Sequence, residues 1–170
     1  EKGRNLSHRS ITVSTVGLVN KIYDLADLGY DINLAVSLHY AFDEKRMTYM
    51  PSAKKYKIKN IIKACDYYLE KTKRRVSYEY VVIDGVNNLD EDIDQLEKLF
   101  KGKNIHINLI PLNPIEEFDH SKTKSNVMGQ FQQKLTQKGL NATIRRSMGS
   151  DIDASCGQLR NNYARQKWNL

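Results

Sequence analysis

Short apolar runs alternate along the chain with segments in which apolar residues recur every three or four positions. The short runs, rich in β-branched residues, predict four strands over residues 11–14, 32–39, 76–83 and 105–110. The periodic segments predict four helices over residues 18–28, 58–70, 89–100 and 125–138. Gly29 is placed to cap the first helix, and a last short strand is predicted over residues 142–146. The charged segment before residue 58 is predicted as a loop.

The regular alternation of strands and helices predicts an α/β fold. Strand–helix–strand order favours parallel strands joined by right-handed crossovers. The strands are nearly continuously apolar, which predicts burial on both faces of the sheet. Four parallel strands cannot close a barrel, so the sequence predicts either an open sheet or a part of a barrel.

Polar or turn-forming residues lie at the carboxyl end of each of the first four predicted strands. They form the segments Ser14-Thr15, Ser37-Leu38-His39, Asp84-Gly85-Val86-Asn87 and Pro111-Leu112-Asn113-Pro114. The carboxyl ends of parallel strands meet at one edge of a sheet, where α/β proteins bind their ligands. The pattern therefore predicts a ligand-binding rim.

Positive charge is concentrated in one part of the chain. The net charge is +7, and residues 43–75 hold eleven Lys or Arg against four Asp or Glu. Such a segment suits a phosphate backbone, although a solvated helix face has the same composition, and both interpretations stay open. The candidates for phosphate contact are Lys54, Lys55, Lys57, Lys59, Arg74 and Arg75.

The chain contains two cysteines, Cys65 and Cys156. Two do not make a disulfide framework, so a reducing, cytoplasmic setting is expected. Cys65 falls on the apolar stripe of a predicted helix, where a cysteine behaves as a small hydrophobic residue. No run of apolar residues is long enough to cross a membrane, so no membrane association is expected.

Six segments carry a resemblance to a known family. They are ITVSTVGLV, INLAVSLH, MPSAKKY, RRVSYEYVVIDGVN, HINLIPLNP and GSDIDASCGQLR. In this order they resemble the radical S-adenosylmethionine (SAM) methyltransferases of the RlmN family, which modify C2 of an adenine in 23S rRNA and in some tRNAs. The resemblance implies the C-terminal portion of a partial (βα)6 TIM-like barrel, with residues 1–112 in the barrel and residues 113–170 in a C-terminal extension.

The family's cofactors are SAM and a [4Fe-4S] cluster, and the motifs that hold the cluster are not in this sequence. Family members have a CxxxCxxC motif for the cluster and a Gly-Glu-Pro motif for the SAM amino group. Two distant cysteines cannot supply the three ligands that the cluster needs. The chain is therefore expected to be the C-terminal half of such an enzyme and to be inactive alone.

The resemblance also implies roles for six residues. Ser14, Ser37, Leu38, His39 and Asn113 match positions that contact SAM. Cys156 matches the cysteine that carries the methyl group: one SAM methylates its thiol, and a second SAM supplies the radical that activates the methyl group for attack on the adenine. For each residue an ordinary structural role is the alternative, such as a small packing residue, a loop histidine or a buried thiol.

The sequence departs from the family pattern in its loops. Family members commonly read HAPND where this chain has residues 39–43, MPINKKY where it has residues 50–56, and proline where it has Asn20. These changes affect the expected geometry of the loops and leave the SAM-contacting positions unaltered.

The expected partners are 23S rRNA, with tRNA as a further candidate, and a flavodoxin-type electron donor, and the protein is expected to be a monomer. Three alternatives stay open. A Cfr-type enzyme would act at C8 of the same adenine, although RRVSYEYVVIDGVN is closer to the C2 enzymes. A chain without enzymatic activity would serve as an RNA-binding module. A SAM-independent barrel enzyme would use Asp84 and His39 as acid and base.

Overall fold

The computed structural model describes residues 7–112 and 123–145. The strands within them are β1 (Thr12–Thr15), β2 (Asn33–Ser37), β3 (Val76–Val82), β4 (Ile105–Pro111) and β5 (Ala142–Ile144). The α-helices are α1 (Val19–Asp27), α2 (Asp43–Tyr49), α3 (Ile58–Thr72), α4 (Asp90–Phe100) and α5 (Ser125–Gln137). Short 3₁₀ helices cover His8–Ser10 and Pro51–Lys54.

The five strands form one parallel sheet in the order β1-β2-β3-β4-β5. Every strand lies beside its neighbour in the sequence, as in the wall of a (βα) barrel. The α/β prediction is therefore confirmed. β5 pairs with β4, Asn108 lying beside Thr143, so the sheet continues into the residues that the sequence analysis assigned to the extension. The role of that extension stays a prediction.

Most predicted elements match the observed ones within a few residues, with one exception. The predicted loop before residue 58 contains helix α2 and the 3₁₀ helix Pro51–Lys54. α2 has only seven residues, most of them charged or polar, so it shows no apolar periodicity. It is held by tertiary contacts, because its fourth residue, Arg46, is fully buried.

The two faces of the sheet differ in burial. One face packs against α1, α3, α4 and α5 and contains the core of the described residues. In β3, Val76, Tyr78, Tyr80 and Val82 are buried in that core, whereas the residues between them are half-buried. Burial on both faces, as the sequence predicts, is found in β2, where the consecutive residues Leu34, Ala35 and Val36 are all buried, but not in β3. We call the second face the open face.

The connection from β1 to α1 depends on a glycine. Gly17 has φ +92°, and a Cβ at this position would lie 2.5 Å from Cδ1 of Ile61 in α3. Only glycine allows both the backbone conformation and this close approach of the loop to the helix. None of the helices in residues 7–112 and 123–145 is long and apolar enough to cross a membrane.

Candidate functional site

Four of the six predicted site residues lie in the described part of the chain. Ser14 is exposed in β1, Ser37 ends β2 half-buried, Leu38 is fully buried, and His39 follows at a turn. Ser14 pairs with Ala35, two residues before Ser37, so both serines belong to the open face. Asn113 and Cys156 lie outside the described residues, and their roles stay predictions.

The turn after β2 is fixed to β3 by the main chain and by the His39 ring. The N–H groups of Leu38 and His39 both donate to the carbonyl oxygen of Glu79, each at 3.1 Å. His39 has φ +61°, and its Nδ1 accepts a hydrogen bond from the N–H of Val81 at 3.2 Å. Burial, assisted by the charge of Arg46, lowers the pKa of His39 to about 4. His39 is therefore neutral at pH 7 and stabilises the turn.

The buried side chain of Arg46 connects the carboxyl ends of β1 and β2. Its guanidinium is fully buried and donates to four main-chain carbonyl oxygens. They belong to Val16 at 2.8 Å, Tyr56 at 3.1 Å, Leu38 at 3.2 Å and Ser37 at 3.4 Å. Burial lowers the pKa of Arg46, and the nearby Asp43 opposes that shift. The sequence analysis missed this residue, because it is one of eleven basic residues in residues 43–75 and the part before residue 58 shows no apolar period.

Asn87, which the sequence analysis placed at the ligand-binding rim, has a structural role. It is fully buried, and its Nδ2 donates to the carbonyl oxygens of His39 and Val81, both at 2.7 Å. Its Oδ1 accepts a hydrogen bond from the N–H of Ile83 at 2.7 Å. The hydroxyl of Tyr80 donates to its carbonyl oxygen. With its amide fully used, Asn87 fixes the loop after β3 to the turn after β2.

A row of polar side chains crosses the open face. We call it the open-face row; by strand register it contains Ser37, Glu79, Asn108 and Thr143. Asn108 Nδ2 donates to Glu79 Oε1 at 2.9 Å, and Thr143 Oγ1 lies 3.4 Å from Asn108 Oδ1. Nε2 of His106 lies 2.9 Å from the same hydroxyl. Glu79 Oε2 is buried and has no partner among the described residues.

The row fits part of the chemistry of SAM. SAM offers ribose hydroxyls, an adenine edge and an amino acid, and these groups bind to hydroxyl, amide and carboxylate side chains. Ser37 supplies a hydroxyl, and the unpartnered oxygen of Glu79 is an acceptor that needs a donor. The open face can therefore accept a ligand that carries hydroxyl or amino groups.

The residues that the structure describes do not fit a [4Fe-4S] cluster. Within residues 7–112 and 123–145 no three His, Cys, Asp or Glu side chains are grouped as metal ligands. Cys65 is buried in α3, and burial raises the pKa of its thiol to about 12. Such a thiol is protonated at neutral pH, and Cys65 packs in the core, which confirms the expectation that it is a packing residue.

The structure separates the basic residues into two groups. Lys54, Lys55 and Lys59 are exposed around the start of α3, close to Tyr56, whose carbonyl oxygen binds Arg46 at the rim. Arg74 and Arg75 precede β3 and lie at the opposite end of the sheet. Arg74 donates to Oδ1 of Asn33 at 2.6 Å. Only the first group lies beside the candidate site.

The acid–base pair of the SAM-independent alternative is not assembled. Asp84 is exposed and accepts a hydrogen bond from Nδ2 of Asn88 at 3.1 Å. His39 accepts one from the main chain of β3 and has a lowered pKa. Each group has a partner of its own, so the geometry gives this alternative no support.

Comparison with known proteins connects this arrangement to a family. No protein-family model matches the chain. It is 52% identical over 161 residues to the probable dual-specificity RNA methyltransferase RlmN of Lachnoclostridium phytofermentans, and 53% identical over 163 residues to that of Lachnospira eligens. The alignments cover 95% and 96% of this chain and 45% and 47% of the relatives. Over nearly its whole length the chain is similar to these RlmN proteins, and it covers less than half of each of them.

The chain spans about half the length of the curated relatives it matches. A solved structure supports the relationship: a radical SAM methyltransferase from Sphaerobacter thermophilus superposes with a TM-score of 0.88 at 44% identity. That match covers 93% of this chain and 46% of the other. A domain of a pyruvate-formate lyase-activating enzyme from Bacteroides vulgatus has a TM-score of 0.61 at 18% identity, which shows a shared fold.

Proposed function

We propose that this chain is the part of a radical SAM RNA methyltransferase that binds SAM on its open face and carries the methyl group on Cys156. The substrate is C2 of an adenine in 23S rRNA, with tRNA as a further substrate. The single observation that supports the proposal most is the position of Ser37. It ends β2 on the open face, and its carbonyl oxygen is fixed by Arg46.

The residues of the chain bind and orient SAM in this proposal. Ser14 and Ser37 present hydroxyls on the open face, and Leu38 anchors the turn in the core. His39 stays neutral and hydrogen-bonded to β3, so it adds no positive charge beside the sulfonium of SAM. Asn113 follows β4 and is proposed to bind SAM from that side. SAM is the source of the methyl group when bound, and the cluster ligands must come from residues outside this chain.

Cys156 is the residue by which the mechanism is tested. A polar methyl transfer cannot reach C2 of adenine, because that carbon is not nucleophilic, whereas a thiol accepts a methyl group readily. Mass spectrometry of the full-length protein, purified from cells with their SAM supply intact, is expected to find a methyl adduct on Cys156. A Cys156→Ser variant is expected to lose both the adduct and the modified adenine.

Mass analysis of the RNA, beside that of the protein, separates C2 methylation from C8 methylation and from RNA binding without methylation. Mass analysis of rRNA modified by the full-length protein assigns the methyl group to C2 or, for a Cfr-type enzyme, to C8. Full methylation by Cys156→Ser would contradict the methyl-carrier role. A protein that binds RNA and leaves every adenine unmodified would be the non-enzymatic RNA-binding module.

The exposed lysines beside the rim are proposed to bind RNA phosphates. Lys54, Lys55 and Lys59 lie on the side of the molecule where the strands end, and phosphate contacts make RNA affinity fall with salt concentration. Replacing all three by alanine is expected to weaken RNA binding and to make its salt dependence shallower. The matched control replaces Lys71, Lys73 and Arg75, near the other end of the sheet. An equal effect of the two sets would contradict this placement.

A further inference from the structure

The open-face row contains one buried oxygen atom that has no donor among the described residues. Glu79 Oε1 accepts a hydrogen bond from Asn108 at 2.9 Å, whereas Oε2 is shielded from solvent and has no partner among the described residues. Buried carboxylate oxygens nearly always have a donor. A water molecule, a ligand or a segment beyond the described residues can supply one, and only the ligand would link this oxygen to function.

The carboxylate is held in position by its neighbours. The amide of Asn108 fixes Oε1, and the hydroxyl of Thr143 lies 3.4 Å from the other end of that amide. The main-chain carbonyl of Glu79 accepts the two N–H groups of the turn after β2. The side chain and the backbone of Glu79 are thus both constrained, and Oε2 is presented at a defined place on the open face.

The position of Glu79 relates it to the proposed SAM site. By register Glu79 pairs with Ser37, and both side chains belong to the open face. Ser14 lies on the same face, on the other side of Ser37. Glu79 is therefore enclosed between a serine proposed to bind SAM and the amide that orients its own carboxylate.

We propose that Glu79 binds the ribose of SAM, with Oε2 accepting a hydrogen bond from a ribose hydroxyl; this inference rests on the proposed function. A carboxylate can only accept, and the donors of SAM are the two ribose hydroxyls, the adenine amino group and the methionine ammonium. Carboxylates on α/β sheets bind ribose hydroxyls in dinucleotide sites by the same chemistry. Glu79 would select ribose over 2′- or 3′-deoxyribose.

The test measures binding and does not need turnover. S-Adenosylhomocysteine shares the ribose of SAM and is chemically inert, so its dissociation constant is measured by calorimetry with the full-length protein. Glu79→Leu removes the acceptor at similar volume and is expected to bind about tenfold to a hundredfold more weakly. Glu79→Gln keeps a hydrogen-bonding group and is expected to lose less. Glu70→Leu, on an exposed position of α3, is the matched control and is expected to bind as the wild type does.

Deoxyribose analogues identify the partner of Glu79. The wild type is expected to bind one of the 2′-deoxy and 3′-deoxy forms of S-adenosylhomocysteine more weakly than the parent compound. Glu79→Leu should bind that analogue and the parent compound equally, because the contact is already absent. If Glu79→Leu loses the same factor for the parent compound and both analogues, the donor is not a ribose hydroxyl and the inference is wrong.

Two further outcomes separate this inference from the proposed function. A wild type that binds S-adenosylhomocysteine, with a Glu79→Leu variant that binds it equally well, overturns the role of Glu79 and leaves the SAM site in place. A wild type that binds neither SAM nor S-adenosylhomocysteine overturns both. Thermal unfolding of each variant shows whether it is folded, and Glu79→Gln provides the comparison if Glu79→Leu is not.

Discussion

The two faces of the sheet are built from the same strands, but one packs against the helices and the other carries polar side chains. On the helix-covered face β3 and β4 present Tyr78, Tyr80, Ile107 and Leu109, all almost completely buried among the helices. On the open face the alternate positions of the same strands include Glu79 and Asn108, along with the proposed SAM contacts on β1 and β2. One residue along a strand therefore separates a side chain that stabilises the fold from one that is available to a ligand.

This difference shows how stability and function are separated in the molecule. Apolar burial on one face provides the driving force for folding, and it tolerates little change in volume. Hydrogen bonds on the other face are paired side chain to side chain, and one acceptor is left without a donor. Mutations on the first face should change stability, whereas those on the second should change ligand binding.

The largest loss of stability is expected at Arg46, which is buried and also fixes the turn that carries proposed SAM contacts. Arg46→Ala removes the donor of four carbonyl oxygens at the ends of β1 and β2 and leaves them buried. We expect the free energy of unfolding to fall by about 4 kcal/mol. Urea unfolding followed by circular dichroism measures this loss.

Arg46→Lys is the informative companion to that variant. A lysine keeps the charge, but its single ammonium group cannot reproduce the planar fork of the guanidinium. Arg46→Lys is expected to be more stable than Arg46→Ala and less stable than the wild type. Its affinity for SAM is expected to stay below that of the wild type, because Ser37 and Leu38 lose their fixed position. Stability like that of the wild type in Arg46→Ala would show that these four hydrogen bonds contribute nothing.

A second prediction compares the two faces directly. Ile107 in β4 is fully buried against the helices, and Ile107→Ala is expected to lower the free energy of unfolding by about 3 kcal/mol. Ser77 in β3 is half-buried on the open face, and Ser77→Ala is expected to change it by less than about 0.5 kcal/mol. Both are measured by urea unfolding. Equal losses would mean that the two faces contribute equally to stability.

The sequence predicted the regular part of the fold and the ends of its strands. Apolar periodicity located α1, α3, α4 and α5, because each has an apolar stripe that packs on the sheet. It could not locate α2, because that short helix has no apolar stripe and is held by polar contacts, among them those of the buried Arg46 and the ion pairs of Lys45 with Glu91 and Asp92. A basic residue is usually exposed, so the sequence favoured a surface role for Arg46.

The candidate site was predicted from motifs more than from pattern. Ser37, Leu38 and His39 were predicted at the end of a buried strand, and the structure places Ser37 as the last residue of β2, with Leu38 and His39 directly after it. Glu79 and Asn108 were missed, because a polar residue inside a predicted buried strand gives no sign of which face it occupies or which strand lies beside it. Asn87 was predicted to lie at the ligand-binding rim, but its amide bonds the main chain. A turn asparagine can do either, and the sequence does not distinguish the two.

The smallest of the three effects concerns the pH dependence of His39. Burial and the charge of Arg46 lower its pKa from 6.5 to about 4, so the unfolded chain binds a proton at a higher pH than the folded one. Between these two values the unfolded state holds more protons, and stability therefore falls as the pH drops from 6.5 towards 4. The contribution of His39 to this fall is roughly 2 to 3 kcal/mol.

The variant that isolates this contribution is His39→Asn, because asparagine tolerates the positive φ of +61° and does not titrate. Urea unfolding at pH 7.5 and at pH 4.5 gives the change in stability for each protein. The wild type is expected to lose more stability than the variant over this interval, whereas above pH 7 the two proteins should show the same dependence. Equal losses down to pH 4.5 would mean that His39 is protonated equally in the folded and unfolded states. Burial and the charge of Arg46 would then not keep the ring neutral, and the turn beside Ser37 would carry a positive charge under acidic conditions.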